Sequence, residues 1–472
     1  MIKAGNKKLT LKRELGLTSA VSLVAGIMIG SGIFMSPQFI LAYVGSSGAS
    51  LIIWAVCGIV CMCSALSYAE LGTIIRESGG DYSYILRIYG PCPAFFLAFT
   101  TVFVMRPFGI IAGSLSFAKY AVAPFYPGCT PPILVVKCIA SACVLVIAIA
   151  NMLNIRFTMA TQVVFMGAKF VGLMIIVTGG IITLLQGNYG SLYNLESAFA
   201  DTKLGISTVG MALYQCLWSY AGWQNLNNVT EEVKMPEVNL PRALMIAIPM
   251  VTILYLLVNV SYLCVMTPAE MISSSAVAVT WGNKVLGGWG WVMSIAAAFS
   301  AFGSLNGSFF SGGRVCYVAA REGHMPDILA MAHMRRLTPS PALIFNTVIA
   351  LIVLIPGDFQ AIVNFFSFTA WFFYGVTISG LLYLKIKKPE NPRTITVPII
   401  IPILVLLAAV FLVLAPIIDD PQIEYLYVTL FMLSGIVIYI PFIHLKLFPG
   451  LLNKLTVFLQ LFLEVAPTAK NL

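Results

Sequence analysis

Apolar stretches of about 20 residues or more recur along this chain, with only short polar connectors between them. Only 10% of the 472 residues are charged, whereas a soluble domain has about 25%. Such a chain must satisfy its backbone polar groups within helices that cross a membrane. The sequence therefore predicts an all-α integral membrane protein with twelve spans. The predicted spans are 17–40, 48–75, 92–125, 133–152, 158–186, 205–230, 241–266, 287–318, 341–356, 359–384, 397–417 and 423–445.

The predicted spans form one domain, residues 17–448, between a short segment (1–16) and an apolar but interrupted tail (449–472). Of the 27 lysines and arginines, 21 fall on the side of the N-terminus, four on the other side and two within spans. Because basic residues concentrate on the cytoplasmic side, we expect both termini in the cytoplasm. The tail fits a cytoplasmic amphipathic helix at the interface better than a thirteenth span.

Side chains of the types that enzymes and metal sites need are scattered. The three histidines lie in predicted inner connectors or at span ends, and the sequence shows no nucleophile–base pair, phosphate loop or metal-ligand cluster. We therefore expect no enzymatic activity, metal or cofactor.

The first predicted span contains three glycines and a serine between Gly26 and Phe34. Glycine weakens a helix, so the span is predicted to break there. The second half-helix would then present free N–H groups and a positive dipole end, which receive a carboxylate. The spacing of Gly26 and Gly30 also fits close helix packing, and this motif alone favours packing.

The sixth predicted span contains a glycine, Gly222, followed at once by the polar run from Gln224 to Asn227. A break at Gly222 would free carbonyls that accept hydrogen bonds from an ammonium group. Two interrupted segments, in the first and sixth spans, indicate a transporter built from two five-helix repeats. Together they favour a substrate site over helix packing.

Two basic residues lie inside predicted spans. Lys169, in the fifth span, is a functional-site hypothesis because a charge within the membrane is costly. Its ammonium could take the place of a sodium ion, or it could snorkel to the inner interface. Arg106, before Pro107 in the third span, is expected to pair with backbone carbonyls that the proline frees.

One cysteine, Cys129, is the only one of ten placed in an outer loop. An unpaired outer cysteine indicates either an intermolecular disulfide or an idle thiol. Its position alone does not decide between the two.

Three stretches, Gly26 to Phe34, Trp218 to Glu232 and Asn306 to Met325, resemble the light subunits of heteromeric amino acid transporters. The resemblance runs from about Leu15 into the tail, and Arg335 to Pro339 and Ile355 to Asp358 are similar to its b-zero-plus branch. It implies a LeuT-like fold with a 5+5 inverted repeat and broken first and sixth helices. It also implies sodium-independent exchange at the plasma membrane, apical in epithelia, and a glycosylated single-span heavy chain similar to rBAT. Cys129 matches the linking cysteine of the family.

The resemblance also implies roles for individual residues. The substrate site would include Met28, Ile29, Gly30, Ser31, Gly32, Trp218 and Ala221. The N–H groups of Ser31 and Gly32 would hold the carboxylate, and the carbonyls of Met28, Trp218 and Ala221 the ammonium. The ring of Trp218 would close the site from outside, and Lys169 would substitute for sodium.

One departure from the family bears on the substrate. The branch that takes basic amino acids has an aspartate where this chain has Ala221. Without that carboxylate a cationic side chain lacks its partner, at a cost of roughly 2–5 kcal/mol. We therefore expect an exchanger of neutral, including large or aromatic, amino acids. The alternatives are a b-zero-plus-type exchanger of cystine, cationic and neutral amino acids, and a non-transporting sensor or partner subunit.

Overall fold

The structure is a computed structural model that describes residues 13–126, 131–274, 276–334, 338–389, 396–418, 423–444 and 449–467. These residues are almost wholly helical. The α-helices are α1 (Leu17–Met28), α2 (Gly32–Val44), α3 (Ser47–Ile74), α4 (Asp81–Tyr89), α5 (Pro91–Thr100), α6 (Arg106–Val122), α7 (Ile133–Leu153), α8 (Ile155–Leu185), α9 (Leu195–Ala198), α10 (Ile206–Ser219), α11 (Asn225–Asn228), α12 (Pro236–Val265), α13 (Pro268–Ser273), α14 (Val277–Val285), α15 (Trp291–Arg321), α16 (Ser340–Leu354), α17 (Phe359–Lys387), α18 (Ile400–Ile418), α19 (Ile423–Ile438) and α20 (Pro449–Leu463).

Ten helical segments among the described residues are long and apolar enough to cross a membrane. They include the pair α1 and α2, counted as one crossing from Leu17 to Val44. The predicted sixth and ninth spans correspond to shorter helices, α10 and α16. α10 ends at Ser219, where the helix is interrupted but the chain continues, and the 15 residues of α16 reach only about 22 Å at 1.5 Å per residue. The twelve-span count and the inverted repeat therefore remain predictions.

The third predicted span is not a uniform helix. Between α5 and α6 the chain forms a wide π-helical turn, Thr101–Met105, directly before Arg106 and Pro107. A proline has no N–H to donate and crowds the preceding turn, so the ladder of hydrogen bonds widens there. The wide turn ends at Arg106, on the side of the bundle that faces the sixth span.

The interrupted first span lies at the centre of the bundle. α1 packs against α8, α12 and α15, while α2 packs against α10. Eight of the twelve α1 residues are buried, and none of these eight is charged or aromatic. The core around α1 is thus built by small and aliphatic side chains, which bring the surrounding backbones close to the break.

The C-terminal tail forms the helix α20 and then a short strand. In α20 the apolar side chains of Leu451, Leu461 and Phe462 are all exposed by more than 70%, as an interfacial helix requires. The strand β2 (Val465–Pro467) then pairs antiparallel with β1 (Met331–His333), which follows α15. The sequence does not predict this pairing, because three residues per strand leave no periodic signal.

Candidate substrate site

The first span is interrupted where the glycines predict it. α1 ends at Met28, α2 begins at Gly32, and Ile29 between them has a non-helical ψ of 81°. The backbone N–H groups of Ser31 and Gly32 donate no hydrogen bond to a described residue. They lie at the N-terminal end of α2, where the helix dipole is positive. The break therefore presents two free donors in a setting that suits a carboxylate.

The sixth span is interrupted as well. α10 ends at Ser219, and the next helical turn begins at Asn225. Between them Gly222 has a φ of 120°, which glycine adopts without strain. A Cβ atom at Gly222 would collide with the side chain of Ile27 in α1, and one at Gly32 would lie 2.5 Å from the Cα atom of Ser219. The two breaks are thus packed directly against each other, and only glycine fits at both contacts.

A tyrosine of α12 joins the two breaks. The hydroxyl of Tyr255 donates to the carbonyls of Met28 and Ser219, the second at 3.0 Å. Its ring is fully buried and packs edge-on against Tyr220 and Trp54. The sequence does not predict this contact, because a tyrosine within an apolar span carries no local signal of a long-range contact.

Two serines of α15 hold further carbonyls of the first break. The hydroxyl of Ser304 donates to the carbonyl of Ile27 at 2.6 Å. The hydroxyl of Ser300 lies 3.2 Å from the carbonyls of both Ile29 and Gly30. Carbonyls that a broken helix leaves without partners are therefore satisfied by neighbouring side chains, as burial requires.

A cavity lies between the breaks and is partly open to solvent. Its empty volume, including that open part, is about 780 Å³. Six of the seven substrate-site residues predicted from the sequence line it: Met28, Gly30, Ser31, Gly32, Trp218 and Ala221. Ile29 does not line it, since this residue is fully buried behind the break with its carbonyl turned to α15. The remaining walls come from the π-helical turn and α6, from other residues around the sixth-span break, and from α15, α16 and α17.

The three carbonyls expected to receive an ammonium are not equivalent. The Met28 carbonyl already accepts hydrogen bonds from Tyr255 and from the N–H of Gly30. The Trp218 carbonyl accepts one from the N–H of Ala221. The Ala221 carbonyl accepts none from a described residue. Ala221 therefore offers the most available acceptor at the cavity.

Lys169 lies inside the bundle and is 1% exposed. Its ammonium donates to the carbonyl of Gly26, in the last turn of α1 before the break. On the other side, Gly303 of α15 packs so closely that a Cβ atom there would lie 2.8 Å from Lys169 Cε. The ammonium is therefore held at the electronegative end of α1 and not at the inner interface.

Arg106 has a different partner from the one predicted. Its guanidinium donates to the side-chain oxygen of Asn225 at 3.0 Å, and not to backbone carbonyls near Pro107. The amide nitrogen of Asn225 in turn donates to the carbonyl of Gly222 at 3.0 Å. The break in the sixth span brings Asn225 opposite the third span, so Arg106 is linked to that break.

Trp218 and Ala221 line the central cavity and also lie beside a second space. The partly buried ring of Trp218 lies edge-on to Phe359 at the start of α17, with 5.5 Å between ring centroids. Both residues also border a smaller space of about 250 Å³. The other residues that line this smaller space are mostly aromatic: Trp223, Phe366, Trp371 and Tyr374, together with Leu217, Ser367 and Ala370. Neither space has an acidic residue among its described lining.

The predicted linking cysteine, Cys129, lies outside the described residues. The nine described cysteines form no disulfide with one another, and most are buried among apolar side chains. This agrees with their role as small apolar residues of the spans. The disulfide to a heavy chain therefore remains a prediction.

Two interrupted helices around a central cavity are typical of membrane transporters. The chain matches the amino acid permease family over residues 15–442, which is most of its length. It belongs to this family. As a permease, it is a membrane transporter.

Curated relatives match this permease along nearly their whole lengths. The human b(0,+)-type amino acid transporter 1 is 46% identical over 469 residues, covering 98% of this chain and 95% of the relative. The human cystine/glutamate transporter is 38% identical over 472 residues, covering 99% and 93%. The human large neutral amino acids transporter small subunit 2 is 39% identical over 438 residues, covering 92% and 81%. These matches confirm the family resemblance drawn from the motifs.

Proposed function

We propose that this permease is a sodium-independent exchanger of neutral, including large or aromatic, L-amino acids. It acts at the plasma membrane, with both termini in the cytoplasm, as the light chain of a disulfide-linked heterodimer. The observation that carries the proposal is the meeting of the two helix breaks around one cavity. Free N–H groups and a free carbonyl lie there within reach of the two charged ends of an amino acid.

The amino-acid backbone is held by backbone groups in this proposal. Ser31 and Gly32 donate to the carboxylate at the positive end of α2. The Ala221 carbonyl, supported by that of Trp218, accepts from the ammonium. Met28 contributes less, because Tyr255 and Gly30 already donate to its carbonyl. Every amino acid carries these two charged groups, so the clamp accounts for the class of substrate and not for the choice within it.

Sodium independence rests on Lys169. A fixed ammonium against the Gly26 carbonyl supplies a positive charge beside the first break without a bound ion. A sodium ion at the same place would meet repulsion and an occupied carbonyl. Exchange then depends only on the amino acids on the two sides of the membrane.

Selectivity rests on the acid-free side-chain end of the cavity. An arginine or lysine substrate would bury its charge beside Ala221 without a carboxylate partner, which is unfavourable. The aromatic rings beyond Ala221 suit an apolar guest. The competing function is a b-zero-plus-type exchanger, which the 46% identity to the human b(0,+)-type transporter favours.

Reconstitution into liposomes tests the exchange. Labelled tyrosine or leucine should enter liposomes preloaded with neutral amino acid, enter empty ones far more slowly, and ignore replacement of sodium by choline. Sodium-dependent uptake would refute the role of Lys169. Binding without any exchange would favour the sensor alternative.

Ala221→Asp tests the selectivity, with Ala221→Asn as the matched control of nearly equal size. The aspartate should raise the ratio of arginine to tyrosine exchange by about tenfold or more, because a buried charge gains a partner. The asparagine should leave the ratio near that of the wild type. Equal ratios in both variants, or efficient arginine exchange by the wild type, would contradict the side-chain assignment.

The heterodimer is tested through Cys129. In native membranes, a non-reducing gel should show the chain in a larger species that disappears on reduction. Cys129→Ser should abolish that species, whereas Cys92→Ser, which changes an exposed cysteine at the inner end of the third span, should retain it. A single band at the size of the chain alone would refute the linkage.

A further inference from the structure

A second, smaller cavity lies beside the central one, toward the side predicted to be cytoplasmic. The two cavities share Met105, Arg106, Gln224 and Phe366 as walls. The smaller cavity, here called the inner cavity, is therefore the next space that a substrate meets on its way inward.

The inner cavity is lined by two residues of opposite charge, Asp81 and Arg106. They are close enough to influence each other electrostatically, yet no side-chain nitrogen of Arg106 lies within 4.0 Å of an oxygen of Asp81. Buried charges are normally paired directly. Here Asp81 and Arg106 stand apart and both line the inner cavity, so each charge can take a further partner there.

Two polar atoms at the inner cavity have no described partner. The Oδ1 atom of Asp81 is shielded from solvent and accepts no hydrogen bond of normal geometry within the described chain, although the hydroxyls of Tyr68 and Thr377 lie close enough to influence its carboxylate. The Nδ2 atom of Asn228, a buried side chain on the same cavity, donates none. Buried polar groups are almost always satisfied, so these two atoms indicate a polar occupant.

Beyond the inner cavity the path is closed. The Tyr82 hydroxyl lies 2.6 Å from Nδ1 of His324. Nearer the surface, Arg87 bridges Glu77 and Glu322, with each N–O contact at 3.0 Å. The inner cavity is therefore a compartment between the central site and a polar seal on the cytoplasmic side.

We propose that the inner cavity is a second binding station for the amino-acid backbone, occupied on the cytoplasmic side of the central site during release and entry. Asp81 accepts from the ammonium, while Arg106 and Asn228 donate to the carboxylate. The station rests on the proposed function, because it serves the same substrates. It accounts for the separated charges and for both unpartnered atoms with one zwitterion.

Because the station is met only from the cytoplasmic side of the central site, its loss should act asymmetrically. We would measure exchange of labelled leucine in right-side-out and inside-out membrane vesicles preloaded with leucine. Asp81→Asn, which keeps the shape and removes the charge, should raise the KM on the cytoplasmic face by roughly tenfold, the effect of one charge-assisted hydrogen bond. The KM on the outer face should stay within about twofold.

Two further variants separate this role from a structural one. Asp81→Glu retains the charge and should keep the cytoplasmic KM near that of the wild type. Glu237→Gln removes an acid at the start of α12, outside the inner cavity, and should leave both KM values unchanged. Should Asp81→Asn fail to reach the membrane, Asn228→Ala provides the same test, with a rise of a few-fold on the cytoplasmic face alone.

If Asp81→Asn changes the KM equally on both faces, or on neither, while the wild type still exchanges leucine, the inner station is refuted. Water is then the occupant of the inner cavity. A wild type that exchanges leucine in neither orientation would instead refute the proposed function. The two failures are therefore distinguishable within one set of vesicles.

Discussion

The hydroxyl of Tyr255 is the contact through which the two helix breaks are predicted to keep their relative position. Tyr255→Phe removes that hydroxyl and retains the ring, so the packing on Trp54 and Tyr220 is preserved. The carbonyls of Met28 and Ser219 lose the proton that they share.

The size of the effect follows from those two contacts. The Met28 carbonyl keeps the N–H of Gly30 as a donor and the Ser219 carbonyl loses the Tyr255 hydroxyl, so the weakened hydrogen bonding of the two buried carbonyls costs about 1–2 kcal/mol. If the closed arrangement of the breaks is needed for substrate binding, the loss corresponds to a roughly 5- to 30-fold fall in kcat/KM. The Met28 carbonyl, freed from Tyr255, also becomes available to the ammonium, which places the expected fall toward the lower end of this range.

The assay is leucine exchange in proteoliposomes, normalised to the amount of folded protein measured by size-exclusion chromatography. Tyr262→Phe is the matched control, since Tyr262 lies on the same helix, is equally buried and has a hydroxyl without a partner in the described chain. Its exchange should equal that of the wild type. Wild-type exchange by Tyr255→Phe, or an equal loss in both variants, would refute the reasoning.

Three further predictions concern other contacts of the site. Lys169→Gln should lower sodium-free leucine exchange by about tenfold or more, because the Gly26 carbonyl and the first break lose a fixed charge; unchanged exchange would contradict it. Gly222→Ala should lower the Tm in detergent by several degrees, since φ is 120° and the added Cβ meets Ile27, whereas Gly167→Ala, with open space around it, should not. Burial raises the pKa of Asp81 to about 7, so its carboxylate is charged above that pH and neutral below it. The cytoplasmic KM should therefore rise as the pH falls through 7, and a KM independent of pH between 6 and 8 would count against the inner station.

The helix breaks were predictable because their signal is local. The glycine cluster around Gly30 and the single Gly222 weaken a helix wherever they occur, and the structure interrupts both helices there. Lys169 was predictable as a buried charge for the same reason, since its apolar neighbours in sequence show that it lies within a span. Its partner, the Gly26 carbonyl, was not, because 143 residues separate the two.

The sequence by itself determined that this chain is a multi-span membrane protein of the amino acid permease family, with two weak points in its helices. Apolar length, charge asymmetry and glycine clusters carry that information along the chain. Only the tertiary structure decided which backbone groups remain free at the breaks. The Met28 carbonyl is occupied by Tyr255 and the Ala221 carbonyl is not, and Arg106 turns to Asn225 while it stands apart from Asp81. The physical reason is that hydrogen bonds are directional and saturable, so their pairing depends on which helices pack together and not on the order of residues within any one of them.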